Sequence, residues 1–309
     1  MELFHQPVLL KESIDMLDLK QGGVYVDATM GGGGHTEAIL KNSLVKHVYA
    51  FDQDAEAITY ATERLNDYSS KLTIIKANFE DLRTQLALRK VNGIDGILFD
   101  LGVSSHQFDL AERGFSFDKN AMLDMRMDKQ LDTTIKDVLN TLTVDEMTKI
   151  FRDFGEEQAA YKIANWISDQ RKIEPINTTL DLSNIIDNNM RSNPVLILKT
   201  KSRIFQALRI YLNRELEVLQ TALEDAVNIL NPKGRIVVIS YHSLEDRIVK
   251  TQFNKAAKGC ICPTSILKCM CNQQSKILLI SRKAIKPSDE EIRTNNRSRS
   301  AKLRAAEKV

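Results

Sequence analysis

Four consecutive glycines at positions 31–34 lie between an apolar run that ends at Asp27 and a helical pattern that follows them. Glycine lets the backbone adopt positive φ and approach a ligand without an intervening Cβ. A second apolar run, residues 48–51, leads into Asp52, about twenty residues beyond the loop, where an open sheet presents a carboxylate to ribose hydroxyls. Together these features predict a site for an adenosine-bearing cofactor.

The glycine loop departs from the two common phosphate-binding patterns. A dinucleotide fingerprint would need a third glycine at Thr36 or Glu37, and a P-loop would need a lysine, which His35-Thr36 does not supply. A loop without a phosphate-specific residue suits a sulfonium ligand, S-adenosylmethionine, with Asp27 binding its ammonium group and Asp52 its ribose. The alternative is a glycine-rich turn that only shortens a loop.

These side chains need strands that end beside the loop, and the apolar pattern supplies them. Amphipathic segments at 55–68 and 216–230 separate the apolar runs at helical spacing. The pattern predicts an α/β fold with a Rossmann-like, doubly wound sheet. Its predicted strands are 24–27, 48–51, 72–77, 96–100, 235–240 and 276–281.

Residues 109–203 contain helical stretches and no strand pattern. They predict an all-helical domain inserted into the sheet domain, which would then be discontinuous and comprise residues 1–108 and 204–309. The single Trp166 lies on an apolar helical stripe, which favours a core position over a base-stacking one. Residues 288–309 carry several arginines with little apolar content and are predicted to form a flexible basic tail.

The overall composition restricts the class of protein. The chain has 309 residues, of which 43% are hydrophobic and 27% charged, as is ordinary for a globular protein. The formal net charge is only +2, so any basic surface for nucleic acid must be local. Because no apolar run approaches a membrane span and no signal-like segment opens the chain, we expect no membrane association and a cytoplasmic location.

Five motifs together resemble those of the bacterial 16S rRNA cytosine-N4 methyltransferases, and the similarity runs nearly from end to end. The motifs occupy residues 27–35, 100–107, 112–117, 123–128 and 241–247. The resemblance implies a class I methyltransferase fold and a substrate cytosine in the decoding centre of the small ribosomal subunit. It also implies these cofactor contacts: Gly33, Gly34, His35, Asp52, Phe79, Asp100 and Gln107.

Methylation of cytosine N4 needs a hydrogen-bond acceptor near the sulfonium, because the amine lone pair is delocalised into the ring. Asp100, at the end of the fourth predicted strand, is our candidate acceptor, with Ser104 and Ser105 shaping the base pocket. A stacking partner for the base, if one is used, would be one of three aromatic residues. These are Phe115, Phe117 and Tyr241.

Two further polar residues have competing interpretations. His242 follows the fifth predicted strand, where ligands bind in open sheets, but a hydrogen bond that holds the turn is the favoured role. Arg126 lies between Asp124 and Asp128, and either a phosphate contact or an ion pair that locks the loop would explain it.

Lysine and arginine accumulate from Lys250 to the C-terminus of this nearly neutral chain. We interpret this region as a phosphate-binding surface for 16S rRNA, so that removal of the residues after Pro287 would weaken RNA binding and spare cofactor affinity. Two other functions remain open: a methyltransferase with another substrate, and a non-enzymatic ribosome-assembly factor. A homodimer also remains open.

The four cysteines form two C-x-C pairs. Thiolates this close together suit tetrahedral zinc, although C-x-C is less diagnostic than C-x-x-C, and reduced structural thiols are an equal alternative. The zinc would stiffen a loop and take no part in catalysis. The candidate ligands are Cys260, Cys262, Cys269 and Cys271.

Overall fold

The computed structural model describes residues 7–102, 111–259, 262, 270–271 and 274–309. The strands are β1 (Gly23–Asp27), β2 (Val45–Asp52), β3 (Leu72–Lys76), β4 (Ile94–Asp100), β5 (Leu230–Ser240), β6 (Ile277–Leu279) and β7 (Lys302–Lys308). The α-helices are α1 (Leu10–Leu17), α2 (Gly34–Leu40), α3 (Ala55–Arg64), α4 (Leu82–Leu88), α5 (Ile135–Thr141), α6 (Val144–Asp153), α7 (Ala160–Ile173), α8 (Thr179–Asn189), α9 (Pro194–Asn213), α10 (Glu215–Ile229), α11 (Ser243–Ala257) and α12 (Asp289–Thr294).

Residues up to Gly102, together with those from Leu216 onward, make up one compact unit built on a seven-stranded sheet. The strand order is β3-β2-β1-β4-β5-β7-β6. Strands β1 to β5 are parallel to one another, whereas β7 runs antiparallel to both β5 and β6. The observed order confirms the predicted Rossmann-like sheet.

Helices cover this sheet on both faces, which explains why its strands read as continuous apolar runs. Val26 and Phe99 belong to the core on one face, together with residues of α4, α10 and α11. Tyr25 and Leu98 belong to the core on the opposite face, together with residues of α1, α2 and α3. Alternate residues of each strand therefore point to opposite cores.

The prediction that residues 288–309 form a flexible tail is wrong. The segment contains α12 and then β7, which lies inside the sheet between β5 and β6. Leu303 and Ala306 are fully buried, and the Arg304 guanidinium donates to Asp246 at 2.7 Å. The segment resembled a tail because short alanines supply its apolar contacts and its cations serve ion pairs within the fold.

Residues from Val103 to Glu215 form the second compact unit, in which helices α5 to α9 surround their own core. Phe151, Ile163 and Leu208 are fully buried in that core, and Trp166 packs against it partly buried. Three of the helices begin with threonine capping boxes, which satisfy backbone N–H groups that the first turn leaves unpaired. The capping residues are Thr134, Thr143 and Thr178.

The limits of this unit differ from the predicted insertion, 109–203. The prediction cut α9 at Arg203, yet the helix continues to Asn213 because its buried positions recur at helical spacing on both sides of the cut. Thr200 and Leu208 are two of these positions.

None of the helices in the described part of the chain has the length and apolar character needed to cross a bilayer. The 20-residue α9 interrupts its apolar positions with charged ones, including Lys199, Arg203 and Arg209.

Candidate active site

Three aspartates end neighbouring strands at one edge of the sheet. Asp27 ends β1, Asp52 ends β2 and Asp100 ends β4, and β1 pairs with both of the other strands. Ligands of open α/β sheets bind at this carboxyl edge. The structure therefore brings the three predicted carboxylates to the same edge.

The glycine loop is shaped by backbone geometry that only glycine adopts without strain. Gly31 has φ 50° and Gly33 has φ 78°. A Cβ added to Gly33 would lie 3.0 Å from Leu65 Cδ1, and one added to Gly34 would overlap the Pro7 ring. The loop is therefore packed against its own unit on one side, and side chains there would force it open.

Asp52 ties the glycine loop to the end of β2. Its Oδ2 accepts a hydrogen bond from the Gly31 N–H at 2.8 Å, and its Oδ1 accepts one from the Asp54 N–H at 2.8 Å. Burial raises the pKa of Asp52 to about 6. Each carboxylate oxygen has a second lone pair, so the predicted ribose contact is compatible with these bonds and stays a prediction.

Asp27 is fully buried and serves the loop and helix that follow it. Its Oδ2 accepts from the Thr36 hydroxyl at 2.6 Å, and its Oδ1 accepts from the Thr29 N–H at 3.1 Å. Burial raises the pKa of this carboxyl. The bonds fix the start of α2 relative to β1, and the predicted ammonium contact stays a prediction.

Asp100 is more open than Asp27, with 22% of its side chain exposed. Its Oδ1 accepts a hydrogen bond from the Tyr241 hydroxyl at 2.7 Å, and its backbone N–H donates to the Thr29 hydroxyl at 2.7 Å. Burial raises the pKa of Asp100 to about 7, although the Tyr241 hydrogen bond works in the opposite direction. The carboxyl group therefore changes charge near neutral pH.

His35 contacts the second oxygen of Asp100. Its Nε2 lies 3.1 Å from the Val8 carbonyl oxygen, which only accepts hydrogen bonds, so Nε2 carries a proton. Its Nδ1 lies 3.5 Å from Asp100 Oδ2. Burial lowers the pKa of His35, so its ring is neutral and Nδ1 holds a lone pair. The imidazole and the Asp100 carboxyl group attract each other when they share one proton between Nδ1 and Oδ2.

Tyr241, one of the three stacking candidates, directly follows β5. Its hydroxyl donates a hydrogen bond to Asp100, and its backbone N–H donates to Glu245 Oε2 at 2.8 Å. Its ring packs against Gly102, where an added Cβ would lie 3.2 Å from Tyr241 Cδ2. Burial raises the pKa of Tyr241 well above its usual value, so it remains a donor. The only sequence signal for this role was its position at the carboxyl end of a strand.

The other two stacking candidates belong to the helical unit. Phe115 is only 4% exposed and lies in the core of that unit, which removes its ring faces from a base. Phe117 packs edge-on against Phe205, with ring centroids 5.6 Å apart.

His242 caps α11 and so holds the turn by hydrogen bonds, which is the role that the sequence favoured. Its Nδ1 accepts a hydrogen bond from the Glu245 N–H at 3.3 Å, and the Glu245 carboxylate accepts from the His242 N–H at 3.3 Å. The reciprocal bonds hold the turn that carries Tyr241.

Of the two roles predicted for Arg126, a phosphate contact or an ion pair that locks its loop, the structure shows the ion pair. Arg126 Nε donates to Asp124 Oδ1 at 2.7 Å, and its Nη1 donates to the Leu131 carbonyl. The side chain thus closes the loop in which it lies.

Phe79 opens a short 3₁₀ helix after β3, and its ring meets Phe99 edge-on, with ring centroids 5.7 Å apart.

Cys262 and Cys271 are partly exposed, and the Met270 N–H donates to Cys262 Sγ at 3.4 Å. Five predicted site residues lie outside the described part of the chain. They are Ser104, Ser105, Gln107, Cys260 and Cys269.

The sequence model of the MraW methylase family matches residues 2–309. The chain belongs to this family. A ribosomal RNA small subunit methyltransferase H of Clostridioides difficile (strain 630) is 47% identical over 311 residues, covering 100% of both chains. The protein of the same name from Finegoldia magna is 42% identical over 311 residues, again covering 100% of both chains. The resemblance seen in the motifs is confirmed, and the chain is a methyltransferase.

Among solved structures, an rRNA methylase from Streptococcus thermophilus aligns with 97% of this chain and 93% of its own, at 13% identity and a TM-score of 0.42.

Proposed function

We propose that the chain methylates the exocyclic N4 amine of a cytosine in 16S rRNA, in the decoding centre of the small ribosomal subunit, with S-adenosylmethionine as methyl donor. The names of the curated relatives support the ribosomal RNA of the small subunit as the substrate. The observation that carries the chemistry is Asp100, a partly exposed carboxylate at the ligand edge whose pKa burial raises to about 7.

The residues at the edge fit this cofactor. A Cβ on Gly31 would meet no atom within 4 Å, so this part of the glycine loop has room for a ligand held against the backbone, and Asp52 retains lone pairs for ribose hydroxyls. When bound, S-adenosylmethionine supplies a methyl group activated by a positively charged sulfur. The residues proposed to hold it are Asp27, Gly33, Gly34, His35, Asp52, Phe79, Asp100 and Gln107.

Asp100 accepts a hydrogen bond from the cytosine N4–H group, which draws the nitrogen lone pair away from the ring and toward the methyl carbon. Methyl transfer from the bound cofactor would form the N–C bond, break the S–C bond and leave the electron pair of that bond on sulfur. The nitrogen then carries one proton too many, and the Asp100 carboxylate takes it. A carboxyl with a pKa of about 7 can accept this proton and return it to solvent at neutral pH.

Ser104 and Ser105, which lie outside the described residues, are proposed, as predicted from the sequence, to shape the base pocket. We assign substrate recognition to the helical unit, because its residues lie outside the cofactor-binding fold and have a core of their own. Deletion of residues 111–215, which keeps Ser104, Ser105 and Gln107, should abolish methylation of subunits and leave S-adenosylmethionine affinity unchanged.

Methyl transfer can be measured directly. The full-length protein is incubated with methyl-labelled S-adenosylmethionine and small ribosomal subunits that lack the modification, and the rRNA is digested to nucleosides. Labelled N4-methylcytidine is the expected product. Fully methylated subunits serve as the control and should take up no label.

Two other outcomes identify the alternatives. Label in a different nucleoside, or in protein, would identify a methyltransferase with another substrate. Tight binding of the subunits without any transfer would identify a non-enzymatic assembly factor.

Zinc binding by Cys260, Cys262, Cys269 and Cys271 stays a separate prediction. Met270 donates its N–H to Cys262 Sγ, a contact that a metal-bound sulfur and a reduced thiol both accept. Elemental analysis of the purified protein distinguishes these alternatives, because a structural site requires one zinc per chain.

Two further predictions concern the whole protein. Cell fractionation tests the cytoplasmic location. Sedimentation of the purified chain tests the homodimer, with twice the chain mass of 35.0 kDa as the result that supports it.

A further inference from the structure

The segment before β7 reaches the edge of the sheet at which Asp100 lies. In the antiparallel pairing of β5 with β7, Ser240 is opposite Lys302, so the residues that precede Lys302 are at the carboxyl end of β5. Tyr241 follows Ser240 at that end and bonds Asp100. Residues 293–299, here called the arginine segment, are therefore near the candidate active site.

A second set of contacts links the same region to the cofactor loop. Glu291 on α12 accepts a hydrogen bond from the Leu9 N–H at 2.7 Å, and the adjacent Val8 carbonyl accepts from His35. His35 in turn contacts Asp100. Arg293, the first residue of the arginine segment, is thus two residues from Glu291. The Glu291 side chain binds the Leu9 N–H, next to the Val8 carbonyl that His35 contacts.

The arginine segment is held in place while its cations face solvent. Ser298 is fully buried, its hydroxyl donates to the Asn295 carbonyl at 2.8 Å, and the flanking Arg297 and Arg299 are exposed, as is Arg293. A rigid backbone that displays exposed arginines loses little conformational freedom when a ligand binds them.

The strand that follows the segment carries an arginine with a structural role. Arg304 on β7 pairs with Asp246, so its charge stabilises the fold. Residues 293–299 contain three arginines and no acidic residue, and all three arginines are exposed. S-adenosylmethionine carries no phosphate, so the cofactor does not call for arginines there, whereas an RNA substrate carries a phosphate on each side of the target nucleotide.

We propose that Arg293, Arg297 and Arg299 bind phosphate groups of the substrate RNA next to the nucleotide that is methylated. This inference rests on the proposed function, and it names the protein surface that holds the RNA backbone. Arginine suits this role because its planar guanidinium binds phosphate oxygens in pairs.

The test compares two doubly substituted proteins that have the same change in net charge. Arg293→Gln/Arg299→Gln removes two cations of the segment. Lys46→Gln/Arg89→Gln removes two exposed cations from the opposite edge, at the start of β2 and just after α4. Binding of each protein to unmethylated small subunits is measured at increasing salt, together with methylation kinetics, S-adenosylmethionine affinity and Tm.

We expect the arginine variant to bind subunits about tenfold more weakly at low salt. The slope of log affinity against log salt should become shallower by about 0.7 for each phosphate of a single strand that the variant no longer neutralises. KM for subunits should rise in parallel, with cofactor affinity and Tm unchanged. The control variant should match the wild-type protein, and Arg293→Gln alone should show about half the change in slope.

An arginine variant whose subunit affinity and salt slope equal those of the wild type would overturn the proposal. Failure of the proposed function gives a different result, since the wild-type protein would then form no N4-methylcytidine in the subunits. The binding measurements would still decide the role of the arginines in that case.

Discussion

Asp27 and Asp100 end adjacent strands, yet their carboxyl groups meet different surroundings. Asp27 is fully buried, and its oxygens accept from the Thr36 hydroxyl and a loop N–H. Asp100 keeps 22% of its side chain exposed and faces two ionisable side chains, Tyr241 and His35. A strand-end carboxylate whose acceptor sites are occupied by its own loop holds the loop's shape, whereas a partly exposed one with titratable neighbours is available to a substrate.

The largest effect should follow Asp100→Asn. The amide keeps the shape of the side chain but cannot take up the proton released from the N4 amine, so kcat should fall by about 100-fold or more. Tm should stay unchanged or rise, because a buried acidic group is removed. Steady-state methylation of subunits and a thermal melt measure the two quantities. Asp81→Asn, which alters an exposed carboxylate, is the control and should retain wild-type kcat.

Asp27→Asn should act mainly on stability. The amide nitrogen of the new side chain would face either the Thr36 hydroxyl or the Thr29 N–H. Two buried N–H donors that face each other leave a hydrogen bond unmade, which lowers the free energy of unfolding by about 1–3 kcal/mol. Chemical denaturation should show this loss of unfolding free energy, with weaker cofactor binding and a kcat reduced less than tenfold at saturating cofactor. A kcat loss equal to that of Asp100→Asn with unchanged stability would contradict the distinction between the two residues.

The pH dependence of kcat/KM should report Asp100. The carboxylate must be ionised to accept the proton, so the rate should rise with pH through about 7, by about tenfold from pH 6 to pH 8. The Tyr241 hydrogen bond lowers this pKa, and Tyr241→Phe should therefore move the profile to higher pH and reduce the rate at pH 7 several-fold. Tyr161→Phe, at an exposed tyrosine of the helical unit, should leave the profile in place.

The smallest effect concerns a residue that holds the loop from outside. Arg64 Nη1 donates to the Gly32 carbonyl at 2.9 Å while its Nε donates to Glu37. Arg64→Gln should raise the cofactor KM by about two- to fivefold and leave kcat unchanged, because the loop loses one restraint. Lys41→Gln also removes a partner of Glu37 but no bond to the loop, so its cofactor KM should equal that of the wild type.

Local patterns predicted the loop and the sheet because their causes are local. Positive φ at Gly31 and Gly33 requires glycine wherever the chain folds, and the apolar runs follow from strands buried on both faces. Residues 302–308 were missed because short alanines and paired cations fill a strand that other sheets build from larger apolar residues. The segment is a strand because it pairs with β5, a partner that is distant in the sequence.

The sequence by itself determined the family, the glycine loop and the three aspartates at the strand ends. Tertiary structure decided what each aspartate does. Tyr241 is 141 residues from the Asp100 carboxylate that it bonds, and the Val8 carbonyl that orients His35 is 27 residues away from it. The proton affinity of a carboxyl group depends on burial and on partners distant in the chain, and no local pattern of residues encodes either of them.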